Sequence, residues 1–329
     1  MMHSASVHPS PRPRSTSQPE PTGGGVRRHR TLITRIAGLS DSRAWPWLLL
    51  LPSMVLVFTI IIYPTLSGID FSFRQMRLNR MDLGTGYVGL RHYGELLDDP
   101  VFWLSLENTA IWVIATAMLE LALGMAAALA LDLELPGFRA ISVIVLLPWF
   151  MPLVVAGNIW ALMLDSRLGI INAALNGLGL MQGYKAWFAD PNFALPAAIA
   201  VESWHGFPFF ALLLLAGLKA IPQEQYEAAA VDGAGFWRRF LHIQVPGLRM
   251  IIVASVVLRA IGLMNSPDLL LILTDGGPGR ASEVLSLYAF QKAYREFNFG
   301  YAGALSVVMF LLLMIFSWLY VRQSNVLKD

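Results

Sequence analysis

The chain is expected to be an all-α membrane protein that crosses the bilayer six times. Two observations predict this. Of its 329 residues, 56% are hydrophobic and only 14% charged, too little polar surface for a soluble protein of this size. The apolar residues also gather in runs of roughly 20 or more, the length that crosses a hydrocarbon core. The chain has no cysteine, which removes disulfide frameworks and thiolate metal sites from consideration.

Residues 1–40 are rich in Pro, Ser, Gly and Arg, as in PSPRPRS and TGGGVRRHR. Such a segment cannot bury enough apolar surface to fold, so a disordered cytoplasmic tail is expected there. The rest, 41–329, is expected to form one six-span domain. The spans fall at about 45–66, 104–131, 138–164, 194–218, 250–273 and 301–321. The first closes at Tyr63-Pro64, and Trp45, Trp47 and Trp103 sit where amphipathic rings anchor span ends. With the N-terminus inside, the inner side carries fourteen Lys and Arg and the outer loops nine, from Arg74 to Arg295. The positive-inside rule then places both termini in the cytoplasm, the chain being multi-pass in its membrane.

The segment between spans four and five, 219–250, is polar and helix-prone, unlike its neighbours. Pro222, Glu224, Gln225 and Glu227 suit a helix start, with proline early and carboxylates at the positive end of the dipole. Ala228, Ala229 and Ala230 favour helix, and Asp232-Gly233 ends it. A second short helix is expected to carry Phe236, Phe240 and Ile243 as an apolar stripe and to close at Pro246. Two short helices joined at a glycine make a docking knob.

Glu227-Ala-Ala-Ala-Val-Asp232-Gly233-Ala234, followed by Phe240, Ile243 and Pro246, resembles the EAA loop of permease subunits in binding-protein-dependent ABC importers. The likeness extends over about 45–322, through IIYPTLSGIDFSF, VGLRHYGELLDDPVFWLSLENT, LLPWFMPLVVAGNIWALMLDSRLGIINAALNGLG and LTDGGPGRASEVLSLYAFQKAYREFNFGYAGALS. It is closest to sugar-type permeases, those for maltose, trehalose and glycerol-3-phosphate among them. One departure is Met250, where the family often has a second proline.

The resemblance implies a type I ABC importer permease fold and no catalytic site in this chain. It also implies a second, different permease subunit, two ATP-binding subunits that hold the ATP and Mg, and an extracytoplasmic solute-binding protein. Lipid is the other contact, and no nucleic acid is involved. The same likeness assigns ATPase coupling to Glu227, Ala228, Ala229, Asp232, Gly233 and Ala234.

Ionisable groups inside spans are costly and so mark function. Glu202, Gly206 and Phe209 share one face of span four at i, i+4, i+7, and Arg259, Leu263 and Ser266 do the same on span five. The sugar-lining positions of the maltose permease fall on these six residues. Glu202 and Arg259 therefore read either as substrate contacts or as a structural ion pair. Glu120 reads as an inter-helix or inter-subunit contact, Asp268 as a helix-end or loop contact, and His205, off the lining face, as packing or a partner for the other subunit. Gly276-Gly277-Pro278-Gly279 is a turn, lacking the Gly-Lys-Ser/Thr ending of a phosphate loop.

The leading expectation is a transmembrane subunit of an ATP-driven importer for a carbohydrate or related polar solute. The alternative is an ion-coupled secondary transporter. Against it stand the lack of visible inverted repeats or broken hydrophobic segments and the presence of a loop built to dock.

Overall fold

The computed structural model describes residues 45–133 and 138–326, except 81 and 83. The tail expected to be disordered, 1–40, lies outside them. Apart from isolated bridges between Arg74 and Tyr87 and between Arg77 and Asn298, the regular structure among the described residues is helical.

The chain divides into two compact units at Pro64. The first holds helix α1 (Trp45–Val57), then a widened turn at Phe58–Ile62 in which the Tyr63 N–H reaches back to the Phe58 carbonyl. Its side chains are apolar and exposed, Ile60 by 66%, the surface that a helix in hydrocarbon presents. Helix α2 (Tyr63–Ser72) follows, so the apolar helix runs from Leu49 to Ser72 and does not close at Tyr63-Pro64. Proline lacks an N–H and its ring collides with the carbonyl four residues back; the wide turn just before Pro64 absorbs both defects.

The second unit contains α3 (Arg91–Leu97), α4 (Pro100–Asp132), α5 (Phe138–Phe150), α6 (Leu153–Met163) and α7 (Ile170–Gly177). It continues with α8 (Ala194–Ala220), α9 (Gln223–Val231), α10 (Phe236–Arg239), α11 (Val245–Asn265), α12 (Asp268–Leu273), α13 (Leu285–Tyr294) and α14 (Phe299–Val326). Among the described residues, five helices are long and apolar enough to cross a membrane: Leu49–Ser72, α4, α8, Phe236–Asn265 and Phe299–Leu319. The pair α5 and α6 makes a sixth when taken together.

That sixth span departs from expectation. One helix was expected over 138–164, but the chain bends by 101° between α5 and α6. Pro152 begins the second half as its N-cap, and the carbonyl of Met151 is met by His205 Nε2 at 3.1 Å. A broken hydrophobic segment is therefore present, contrary to the reading of the sequence.

Span five is also redrawn. It starts at Phe236, inside the segment expected to be loop, and ends at Asn265. Pro246 does not stop it, because a second widened turn at Phe240–Gln244, with the Val245 N–H reaching the Phe240 carbonyl, precedes that proline. Ser266 is extended (φ −103°, ψ 114°), as a residue before proline tends to be, and α12 is a separate short helix.

The most extensive helix pairing is α4 on α8. Gly124 allows it: a Cβ there would lie 3.0 Å from the Phe207 carbonyl and the Ala211 nitrogen and would strike Phe210. Small residues at such crossings let backbones approach where no hydrophobic force holds helices together. One apolar cluster centres on Trp112, Val201, Leu263 and Leu270, and another on Phe210, Leu214 and Leu248. A third joins Phe102 to Tyr288, Tyr301 and Leu305.

Candidate functional site

Three long helices deliver a charge to one place. Arg259 of α11 lies against Glu120 of α4, its Nε donating to Oε2 and its Nη2 to Oε1, both at 2.6 Å. The same Nη2 donates to Glu202 Oε1 of α8 at 2.5 Å. Glu120 is fully buried, and the Glu202 side chain is 8% exposed. The bidentate fork on Glu120 is the geometry in which guanidinium and carboxylate bind most strongly, and it makes Glu120 the inter-helix contact expected of it.

Room for this cluster comes from Gly206. A Cβ at 206 would overlap Glu120 Oε1 and come within 2.5 Å of Arg259 Nη2, so the ion pair fills the space of the missing side chain.

A cavity of about 190 Å³ opens beside the cluster. Its walls are Glu202 and His205 from α8, Arg259, Gly262 and Leu263 from α11, and Ser266 just beyond. Trp112, Leu153 and Leu269 close it. Trp112 is held by its indole N–H on the Leu263 carbonyl at 3.2 Å. Ser266 donates to Asp268 at 2.8 Å, a helix-end contact like the one expected for Asp268.

Four of the six residues singled out in the sequence, Glu202, Arg259, Leu263 and Ser266, thus meet at one cavity, while Gly206 and Phe209 are not among its walls. Phe209 lies seven residues past Glu202, about 10 Å along the helix, and packs on Trp149 and Phe210 at 6.2 and 5.5 Å. His205, read as facing away, is a wall residue. At i+3 from Glu202 it is offset by only about 60° from that face, which a cavity between helices accommodates. Trp112 carried no signal in the sequence beyond its place in an apolar run.

The knob is built as a single short helix. Helix α9 begins after Pro222 with Glu224 in its first turn. It ends in a Schellman motif: Gly233 takes φ +70°, its N–H meets the Ala230 carbonyl at 3.1 Å, and the Ala234 N–H meets Ala229 at 2.8 Å. Only glycine takes that backbone conformation without strain. Arg239 Nε then donates to the Ala234 carbonyl at 2.9 Å, tying the turn to the next helix. Glu227, Ala228, Asp232 and Gly233 are exposed, Ala229 and Ala234 half-buried. The expected second knob helix is instead the first part of span five. Phe236 stacks on Phe240 at 6.2 Å, and Trp237 is 70% exposed.

The opposite end of the second unit is fastened by Asp99, which caps α4 at the Val101 N–H and accepts from Tyr288 and Tyr301 at 2.5 and 2.6 Å. Burial pushes its carboxyl up, but these hydrogen bonds prevail and hold it below the usual aspartate range. Burial and the Asp99 hydrogen bond raise the Tyr288 phenol. Asn108 and Thr109 of α4 anchor the loop before α13, through the carbonyls of Arg280 and Glu283 and the Leu285 N–H. Six of the nine basic residues predicted for outer loops are ion-paired, for example Arg74 with Asp70 and Arg295 with Asp275.

Comparison with known proteins agrees with this architecture. The trehalose/maltose transport system permease protein of Thermococcus litoralis is 34% identical over 283 residues, 86% of this chain and 94% of that protein. The sulfoquinovosyl glycerol transport system permease protein of Agrobacterium fabrum is 36% identical over 289 residues, 88% of this chain and 92% of that protein. Among solved structures, a bacterial ABC transporter involved in import of the acidic polysaccharide alginate superposes with a TM-score of 0.75. It covers 91% of this chain and 100% of its own at 20% identity, a likeness of fold. The family model for the binding-protein-dependent transport system inner membrane component matches residues 120–325, from the buried Glu120 to the end of α14. The chain belongs to that family, the membrane-spanning permeases of ABC importers.

Proposed function

We propose that this permease is one of two different transmembrane subunits of an importer for a carbohydrate or related polar solute, and that α9 couples it to ATP hydrolysis in partner subunits. Two such partners hold the ATP and Mg, and an extracytoplasmic binding protein delivers the solute. The chain lies in the bacterial cytoplasmic membrane with both termini in the cytoplasm. This chain's work is mechanical.

One observation carries the reading: α9 joins the two helices that bear the cavity's charges. Glu202 lies eighteen residues before Ala220 at the end of α8, and Arg259 lies twenty-three after Phe236, where span five begins. At 1.5 Å per residue these are levers of about 27 and 35 Å. A push on α9 moves both, and the cavity lies between them. Glu227, Ala228, Ala229, Asp232, Gly233 and Ala234 form the contact with the ATPase, and Glu202, Arg259, Leu263 and Ser266 line the solute's path. At about 190 Å³ the cavity is smaller than the roughly 300 Å³ at which drug-sized ligand pockets begin, so a larger sugar needs an open state or a surface from the second subunit. A broken span is also a mark of ion-coupled carriers, but the family match points to binding-protein-dependent transport.

The test is Gly233→Val combined with Glu227→Lys. A Cβ at 233 meets nothing within 4 Å, so the change acts on the turn and not on packing. The variant is expected to assemble in the membrane while losing solute-stimulated ATP hydrolysis; unchanged stimulation contradicts the proposal.

A further inference from the structure

We infer that the cavity beside Arg259 admits a neutral or cationic sugar unit and rejects an anionic one. The inference rests on reading this cavity as the solute's path and adds the charge of the solute.

An arginine at a cavity wall ordinarily signals an anion receptor, because its fork matches carboxylate and sulfonate. Here the Nε–Nη2 edge of the fork is filled: both nitrogens serve Glu120, and Nη2 serves Glu202 as well, so that edge holds the protein's own carboxylates.

The remaining charges add to the same sign. Helix α4 contributes Glu120 and Trp112, and α8 contributes Glu202 and His205. Span five contributes Arg259 and Leu263, Ser266 follows just beyond it, α6 contributes Leu153, and Asp268 lies within bonding distance of Ser266. Two carboxylates, Glu120 and Glu202, thus meet one guanidinium and leave one surplus negative charge, with Asp268 exposed beyond Ser266, and the only other titratable group among the lining residues is His205, whose Nε2 is engaged with the Met151 carbonyl. An anionic ligand would enter a site with surplus negative charge in which the arginine's Nε–Nη2 edge is already taken by carboxylates. A hydroxyl or ammonium, by contrast, finds carboxylate oxygens as acceptors, and the Trp112 ring offers an apolar face to sugar C–H groups.

The relatives do not settle this point. Alginate is acidic and sulfoquinovosyl glycerol carries a sulfonate, whereas trehalose and maltose are neutral. The wall composition of this chain places it with the neutral group.

Glucose, glucosamine and glucuronate share one ring and differ in a single charged group, so they serve as probes. Each is titrated calorimetrically into the full-length chain assembled with its partner subunits in nanodiscs, at a slightly acidic pH where the amine is protonated. Glucose and glucosamine are expected to bind at least about tenfold more tightly than glucuronate, the discrimination made by one surplus charge at roughly 10 Å and an effective dielectric constant of about 20. Glu202→Gln should narrow that gap by a similar factor. Asp268→Asn, exposed and outside the ion cluster, should narrow it less and supports the inference even if the first variant assembles poorly. Glucuronate binding as tightly as glucose overturns the charge assignment but leaves the cavity a sugar path. If none of the three binds, or binding is indifferent to Trp112→Phe, the cavity is not that path and both readings fall.

Discussion

Removing the arginine should harm the fold more than removing either of its partners. Glu120 and Glu202 both accept from Arg259 Nη2, at 2.6 and 2.5 Å, so their oxygens are at most about 5 Å apart. At that separation and an effective dielectric constant of about 20, two unit charges repel by about 3 kcal/mol. Arg259→Met exposes the carboxylates to this repulsion and leaves both without their donor. Glu120→Gln keeps Glu202 on the arginine but breaks a two-point charged contact at a fully buried site, worth about 1.5–3 kcal/mol. Glu202→Gln keeps an oxygen that still accepts from Nη2 at the cavity edge, so its cost should be about 1 kcal/mol or less. Membrane abundance and the midpoint of thermal aggregation of the purified complex should therefore fall in that order. The exchange of Arg259→Glu with Glu202→Arg should not rescue either measure, because the new glutamate faces Glu120. If Glu202→Gln matches Arg259→Met, or the exchange restores stability, the three-way pairing is wrong.

Other expectations follow from the same geometry. Gly206→Ala places a methyl on the ion pair and should cost about 1–3 kcal/mol, visible as lower thermal stability with the charges intact. His205→Ala strips the Met151 carbonyl of its partner at the break in the third span and should cost about 1–3 kcal/mol, with His205→Gln partly restoring stability. Asp99 is depressed by the hydroxyls of Tyr288 and Tyr301, so its contribution is present above the unfolded aspartate pKa of about 3.9 and lost as pH falls through the lower folded value. Asp99→Asn should therefore flatten the acid limb of a stability-against-pH curve, and an unchanged limb would exclude that role. A chain starting at Asp41 is expected to assemble and transport normally, since the composition of 1–40 offers nothing to pack; reconstituted uptake checks this.

The spans whose ends are marked locally were legible in the sequence. Helix α4 begins where Asp99 can cap and Pro100 can sit in the first turn, and α8 ends close to its expected position, before Pro222. The errors cluster at prolines. Pro64 and Pro246 were read as stops, yet each follows a five-residue widened turn that carries the helix onward. Pro152 fell inside the helix expected over 138–164, yet the chain breaks there. The residue type is the same in all three cases, and the difference lies in how the carbonyls freed beside each proline are satisfied. At 58–62 and 240–244 the helix rebonds to itself, whereas at Met151 the partner is His205, on another helix and 54 residues away. Hydropathy and spacing along one segment contain no information about such a partner.

The cavity was half legible for a related reason. Helical spacing put Glu202 and Arg259 on faces that could meet, and they do. It did not show that Glu120 takes both ends of the arginine's fork, because that contact depends on how closely α4 and α8 approach. Two glycines set the approach. Gly124, one turn after Glu120, brings the helices together, and Gly206, one turn after Glu202, leaves the volume that the pair occupies. Gly206 therefore matters as the space into which charge is folded, and the residue that shares the cavity-facing side of α8 with Glu202 is His205. A glutamate and a glycine spaced by four on each of two packed helices is a pattern that can be sought in sequence, and in this chain it marks the crossing at which the cavity is built.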